Sequence, residues 1–159
     1  MPEIKKQRRK MSEREPEEFD KKIVDLARVT RVTKGGKQLR FRACVAIGDH
    51  KGRVGAGVAK GSDVANAISK ATQKAKKAIM TVAFSHDTIP FPLSQKYGAA
   101  KILLRPAPSG TGIKAGGPMR IVLELAGVPN VVGKMLGSKN KLNNIRAIME
   151  ALKKFILKK

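Results

Sequence analysis

Tryptophan is absent from the 159 residues, tyrosine occurs once and phenylalanine five times. A core must therefore be aliphatic and alanine-rich, and a platform on which successive unpaired bases stack is excluded. Cys44 is the sole cysteine, which excludes an intramolecular disulfide framework and a multi-cysteine zinc site. Within an alternating segment it reads as a small packing residue. The two histidines, His50 in a turn and His86 in a linker, stand beside no Ser or Cys motif. A catalytic triad needs several roles filled at once, so both read as solvated loop residues. No apolar run approaches the roughly 18 residues of a membrane helix. The opening MPEIKKQRRKMSEREPEEF has no apolar stretch for a signal peptide and too many acids for a transit peptide. A soluble, cytoplasmic chain is the expectation.

Acids are the scarcest charged class: 12 against 34 bases, a formal net charge of +22. Self-repulsion at that charge predicts a polyanionic partner. Residues 26–83 hold thirteen bases and two acids, and residues 84–159 hold thirteen and three. Residues 1–25 are nearly balanced, with eight and seven. The excess thus lies in the parts patterned for folding. Residues 1–21, charged and poor in apolar residues, read as a disordered extension.

Two domains follow, at residues 22–83 and 84–159. Residues 22–33 predict a strand, and Lys34-Gly35-Gly36-Lys37 a hairpin turn. Leu39, Phe41, Ala43, Val45 and Ile47 alternate with Arg40, Arg42, Cys44 and Ala46, predicting a strand with an apolar and a partly cationic face. After a turn at 48–52, Val54, Ala56 and Val58 alternate with Gly55 and Gly57, a face open to close approach by another backbone or an RNA sugar. Ser62 is a candidate N-cap for a helix carrying Val64, Ile68, Ala71, Ala75, Ala78, Ile79 and Val82 on one stripe, with Lys70, Lys74 and Lys77 opposite. Phe84–Pro92 marks the boundary. Strands are predicted at 89–97 and 99–105, then a glycine-rich loop over 106–117 and a helix from Pro118 closed by Gly127. A strand over 128–136 precedes a last helix capped by Asn140, whose stripe is Leu142, Ile145, Ile148, Met149, Leu152, Phe155 and Ile156. The fold class is α+β: a βββα unit, then a two-layer α/β unit.

Gly112 and Gly117 have the spacing of a phosphate-binding P-loop, but Pro118 and Met119 stand where Lys and Ser/Thr would be needed. Gly110, Gly112 and Ala115 fit G-x-G-x-x-A, yet the nearby prolines and the lack of an acid about twenty residues on spoil a dinucleotide context. Gly116-Gly117 before a helix can still turn backbone N–H groups toward an RNA phosphate or a partner's carboxylate. The positive signal is basic. Arg28, Arg31, Lys34, Lys37, Arg40 and Arg42 crowd one hairpin with Gly35 and Gly36 at its tip, and Lys51, Arg53 and Lys60 extend the field. With so few aromatics, readout of shape and phosphate in folded RNA is favoured over readout of bases.

Phe41–Lys60 (FRACVAIGDHKGRVGAGVAK), with the Ala/Lys-rich helix after it, resembles one signature of the bacterial small-subunit ribosomal protein S-five family. Ala99–Arg120 (AAKILLRPAPSGTGIKAGGPMR), Leu123–Val128 (LELAGV) and Leu136–Asn140 (LGSKN) resemble a second. The resemblance implies a first domain like a double-stranded-RNA-binding fold lacking its leading helix. The second domain would be of a type also found in certain kinases. It implies a structural, non-enzymatic ribosomal component that needs no cofactor, binds small-subunit rRNA, neighbours proteins S-four and S-eight, and supports decoding accuracy. By resemblance, Arg31, Lys34–Lys37, Arg53 and Lys60 would face rRNA. Gly110, Gly112, Gly116, Gly117 and Arg120 would lie toward S-four. A free RNA chaperone and a small nucleotide-dependent enzyme are the alternatives.

Overall fold

The computed structural model describes residues 19–84 and 87–156. Most of the expected 1–21 extension, His86 and the lysines at 158–159 lie outside the described residues. The chain order is β1 (Asp20–Thr33), β2 (Gly36–Gly48), β3 (Arg53–Gly61), α1 (Val64–Lys77), β4 (Met80–Thr81), β5 (Leu93–Tyr97), β6 (Ala100–Pro106), β7 (Ile113–Lys114), α2 (Gly117–Ala126), β8 (Val131–Gly137) and α3 (Lys141–Ile156). One antiparallel sheet has the order β1-β2-β3-β4, the other β5-β6-β8-β7, with only β7 and β8 parallel.

β1 and β2 form a long hairpin closed by Lys34-Gly35, with Thr33 paired to Gly36. β3 pairs with β2 only from Phe41 onward. The two-stranded end from Gly36 to Arg40 therefore projects roughly 16 Å past the third strand at the usual rise per residue. The untidy alternation of β1 has a cause: the register shifts between Ile23 and Asp25, a bulge that turns Val24 into the core.

α1 covers one face of the first sheet, where Ala67, Ala71 and Ala75 meet Ala43, Val45, Ile47 and Ala59. The glycine face of β3 serves this helix: a Cβ on Gly57 would stand 2.6 Å from the nitrogen of Ala75, and one on Gly61 2.6 Å from that of Ala67. Another backbone occupies that face, and RNA is shut out of it. The sheet's second face is closed too. Cys44, Ala46 and Val54 share a core with Met119, Val122 and Leu123 of α2 and Ile148 and Leu152 of α3. Those helices lie in turn on Ala100, Ile102, Leu104 and Val131 of the second sheet. The layers run α1, first sheet, α2 and α3, second sheet.

Several local expectations need correction. Asp63, not Ser62, is the N-cap of α1, and it makes no side-chain cap bond. Ala78 is exposed because the helix ends at Lys77, and Val82 joins the core from beyond β4. Ile156 is exposed at the end of α3. Strands β4 and β7 were not expected; at two residues each they carry no alternation to read. Within the expected boundary, Ile89 is buried and Thr88 bridges to Asn130. Asn140 does cap α3, its Oδ1 accepting from Leu142 N at 3.0 Å. Gly127 closes α2 at φ +79.

Candidate nucleic-acid interface

Antiparallel partners point to the same side, so register sorts the hairpin's cations. Arg28 lies opposite Phe41 and Lys37 opposite Val32, on the side of α1. Arg40 lies opposite Val29, Arg31 opposite Gln38, and Arg42 opposite both Ala27 and Lys60, on the other side. The expected cluster is therefore two groups on two faces. Arg31, Arg40 and Lys60, with Gln38 and Val29, line a shallow hollow of about 220 Å³. Lys34, Gly35 and Gly36 form the exposed tip. A second hollow of about 250 Å³ joins Lys60 to Lys70, Lys74 and Lys77 of α1. These three lysines belong with the cationic surface, and their spacing of four and three along a helix was the signal for them.

Two of the expected cations also make bonds within the fold. Arg42 turns inward: its Nη2 lies 3.4 Å from Asp25 Oδ2 and its Nε is buried without a partner. Asp25 also takes Lys141 Nζ at 3.2 Å, tying β1 to α3. Arg53 is held by Asp49 (Nε to Oδ2, 2.6 Å) and stacks on Phe19 at 4.8 Å. Burial acts to raise the Asp49 carboxyl but is outweighed by the Arg53 side chain and the N–H groups of Lys51 and Arg53, which hold it at about 2. Arg53 is thus a structural residue of the β2–β3 turn. It sits roughly 23 Å from Lys60, seven residues along β3, and Lys51 lies in the turn before it.

That turn seats on the end of α2. His50 N donates to Leu125 O at 3.0 Å, and Gly52 N to Ala126 O at 2.9 Å. His50 Nδ1 donates to Glu124 O at 2.8 Å, and its Nε2 lies 3.0 Å from Asp20 Oδ2. The last carbonyls of a helix need partners, and here the other domain supplies them. His50 is therefore a bonded joint residue and not a free loop histidine. Cys44 is buried, and desolvation with the nearby Asp25 charge pushes its thiol up to about 11, as suits a packing residue.

The glycine-rich loop is built around Asn130, which its sequence context did not signal. Asn130 Oδ1 accepts from Gly112 N at 3.0 Å and its Nδ2 donates to Asp87 O at 3.2 Å. Gly110 and Gly112 have positive φ, +86 and +69, as tight turns need. Gly116 packs on Met135, while nothing lies within 4 Å of a Cβ at Gly117. Arg120 pairs with Glu124 at 2.9 Å, and Glu124 also takes Lys22 Nζ at 2.9 Å. A larger hollow of about 590 Å³ between α1 and α3, bordered by Val58, Tyr97, Arg146 and Lys153, lies away from this loop. Among the described residues no group of three or more His, Cys, Asp or Glu side chains could hold a metal, and no helix is long and apolar enough to cross a membrane.

Comparison with known proteins agrees with this architecture. The family models Ribosomal protein S5, N-terminal domain, and Ribosomal protein S5, C-terminal domain, match residues 19–83 and 95–156. Small ribosomal subunit protein uS5 of Gloeobacter violaceus is 51% identical over 85% of this chain, which spans 61% of that relative. The uS5 of Synechococcus elongatus is 52% identical over 85% of this chain and 76% of its own length. The uS5c of Emiliania huxleyi is 48% identical, with 85% and 86% covered. With both domain models matched in order over the two sheets and three helices just described, the chain belongs to the ribosomal protein S5 family.

Proposed function

We propose that this protein is a structural, non-enzymatic component of the small ribosomal subunit that grips rRNA with the hairpin face bearing Arg31 and Arg40, continued by Lys60 of β3 and by Lys70, Lys74 and Lys77 of α1. The observation that carries this reading is the gathering of those cations around two hollows that share Lys60, beside a hairpin that projects past the third strand. Lys34, Gly35 and Gly36 at the tip add a narrow backbone edge that can follow a sugar-phosphate chain. Lys51 adds charge at the far end, Arg42 and Arg53 hold the scaffold as well as carrying charge, and Arg28 and Lys37 lie on the opposite face of the hairpin. Such a surface recognises shape and phosphate, since folded RNA offers its phosphates and 2′-hydroxyls without base unstacking.

The loop Gly110–Arg120 is proposed to lie toward protein S-four, with S-eight as a second neighbour. In this reading the protein is a rigid bridge between rRNA and adjoining proteins, and decoding accuracy depends on that bridge. Cytoplasm and organelle matrix both suit such a ribosome. The test is binding of the purified protein to small-subunit rRNA across a salt series, with subunit co-sedimentation in parallel. If about six to ten phosphates are neutralised, affinity falls by about three to five decades between 50 and 200 mM salt. A flat salt response, or a protein that never sediments with subunits, overturns the proposal.

A further inference from the structure

The face of the hairpin away from the cationic hollow carries exposed apolar side chains interspersed with Arg28, Thr30 and Lys37. Ile23 lies opposite Val45, Leu26 opposite Ala43, Thr30 opposite Leu39 and Val32 opposite Lys37, so all point to the side on which α1 packs. Ile23, Leu26, Leu39 and Val32 are nevertheless 49%, 44%, 53% and 73% exposed. They account for most of the large exposed apolar side chains among the described residues. The reason is geometric. The glycines of β3 draw α1 directly onto that strand. Strands lie about 4.8 Å apart and packed helices 8–10 Å apart, so a second helix beside α1 would sit about two strands over, on β1. That place holds no element of the described residues. From Ile23 to Val32 the stripe runs roughly 30 Å, the length of a twenty-residue helix.

We propose that this face is the docking site for an amphipathic helix of another protein, laid beside α1, with its apolar stripe on Ile23, Leu26, Leu39 and Val32 and its flanking carboxylates on Arg28 and Lys37. Clustered exposed apolar side chains mark a protein contact, and the phosphate- and hydroxyl-lined outside of folded RNA matches them poorly. A second copy of this chain would bring the same two cations face to face at a net charge of +22 each. The chain's own first eighteen residues supply only Met1, Ile4 and Met11 as large apolar side chains, too few to cover the stripe. Charge complementarity leaves an acid-flanked partner helix. The inference concerns the surface opposite the proposed RNA face and stands apart from it.

The test places a thiol-linked photo-crosslinker at Leu39→Cys in assembled small subunits, with Val32→Cys as a second site and Arg40→Cys as the companion on the opposite face. The native Cys44 is buried and stays silent. The expected products are protein crosslinks from Leu39→Cys and Val32→Cys, mapping to an amphipathic helix with flanking Asp or Glu, and maleimide labelling at both slowed by at least an order of magnitude on assembly. Crosslinks to RNA, to residues 1–18 or to a second copy overturn the proposal. So does labelling as fast in subunits as in the free protein, or capture of a basic or extended segment. Failure of the Arg40→Cys arm to reach RNA refutes the RNA face alone.

Discussion

Gly48 at the end of β2 and Leu125 in the last turn of α2 are in backbone contact: a Cβ on Gly48 would stand 2.6 Å from the carbonyl carbon of Leu125. The two domains meet there without a side chain between them, and the bonds from His50 N and Gly52 N close the joint. Gly48→Ala must push the turn off the helix and strand those carbonyls. The expected cost is about 2–3 kcal/mol, the range of overpacking, seen by denaturant unfolding. Gly35→Ala, with nothing within 4 Å of its new Cβ, is the control and should leave stability unchanged.

Asp49 makes the joint sensitive to acid. Its folded pKa of about 2 lies below the ordinary 3.8, so its contribution is fully present above 3.8 and is lost as pH falls toward 2. Glu124, held below its ordinary value by hydrogen bonds from Lys22 and Arg120, acts with the same sign. The difference in stability between the wild type and Asp49→Asn should shrink across that window. A constant difference from neutral pH down to pH 2 would count against this role.

Phe19 and Asp20, within the expected 1–21 extension, make contacts with the fold. Phe19 lies under Arg53 and Asp20 reaches His50. Deleting residues 1–18 should leave the melting temperature unchanged. Deleting through Asp20 should cost about 1 kcal/mol, the usual size of one exposed cation–π contact, with the exposed Asp20–His50 hydrogen bond adding little. Equal melting curves for the two truncations would mean that neither interaction stabilises the fold.

The two hairpin faces separate in binding. Arg31, Arg40 and Lys60 changed together to Ala should weaken rRNA binding and flatten the salt dependence by about 0.7–0.9 in slope for each phosphate that is no longer neutralised. Arg28 and Lys37 changed together should have the smaller effect per charge. The reverse order in filter-binding titrations would place the RNA on the face of Arg28 and Lys37.

Arg120→Glu removes one partner of Glu124 and sets a like charge four residues before it, at a cost of about 0.5 kcal/mol. The isolated protein should stay folded by circular dichroism while docking beside S-four weakens and decoding accuracy changes. Normal assembly and accuracy would place that neighbour elsewhere.

Much of the fold was legible from local pattern. The alternation through β2, the lysine and alanine spacing of α1, Asn140 before α3 and Gly127 after α2 are consequences of strand and helix periods and of cap chemistry, all contained within a few residues. The charge of +22 named the class of partner, because Coulombic excess needs no fold to be counted. What the sequence left undecided needed a second segment far away. Alternation assigns Cys44 and Ala46 to the face of Arg40, but only the arrival of α2 and α3 turns that face from cationic to buried. The bulge at Val24 depends on β2 and the core of the second domain together. Arg28 and Arg31 look alike in the chain. Pairing to Phe41 and Gln38 sends one beside the apolar stripe and the other into the cationic hollow, because strand register is fixed by tertiary packing.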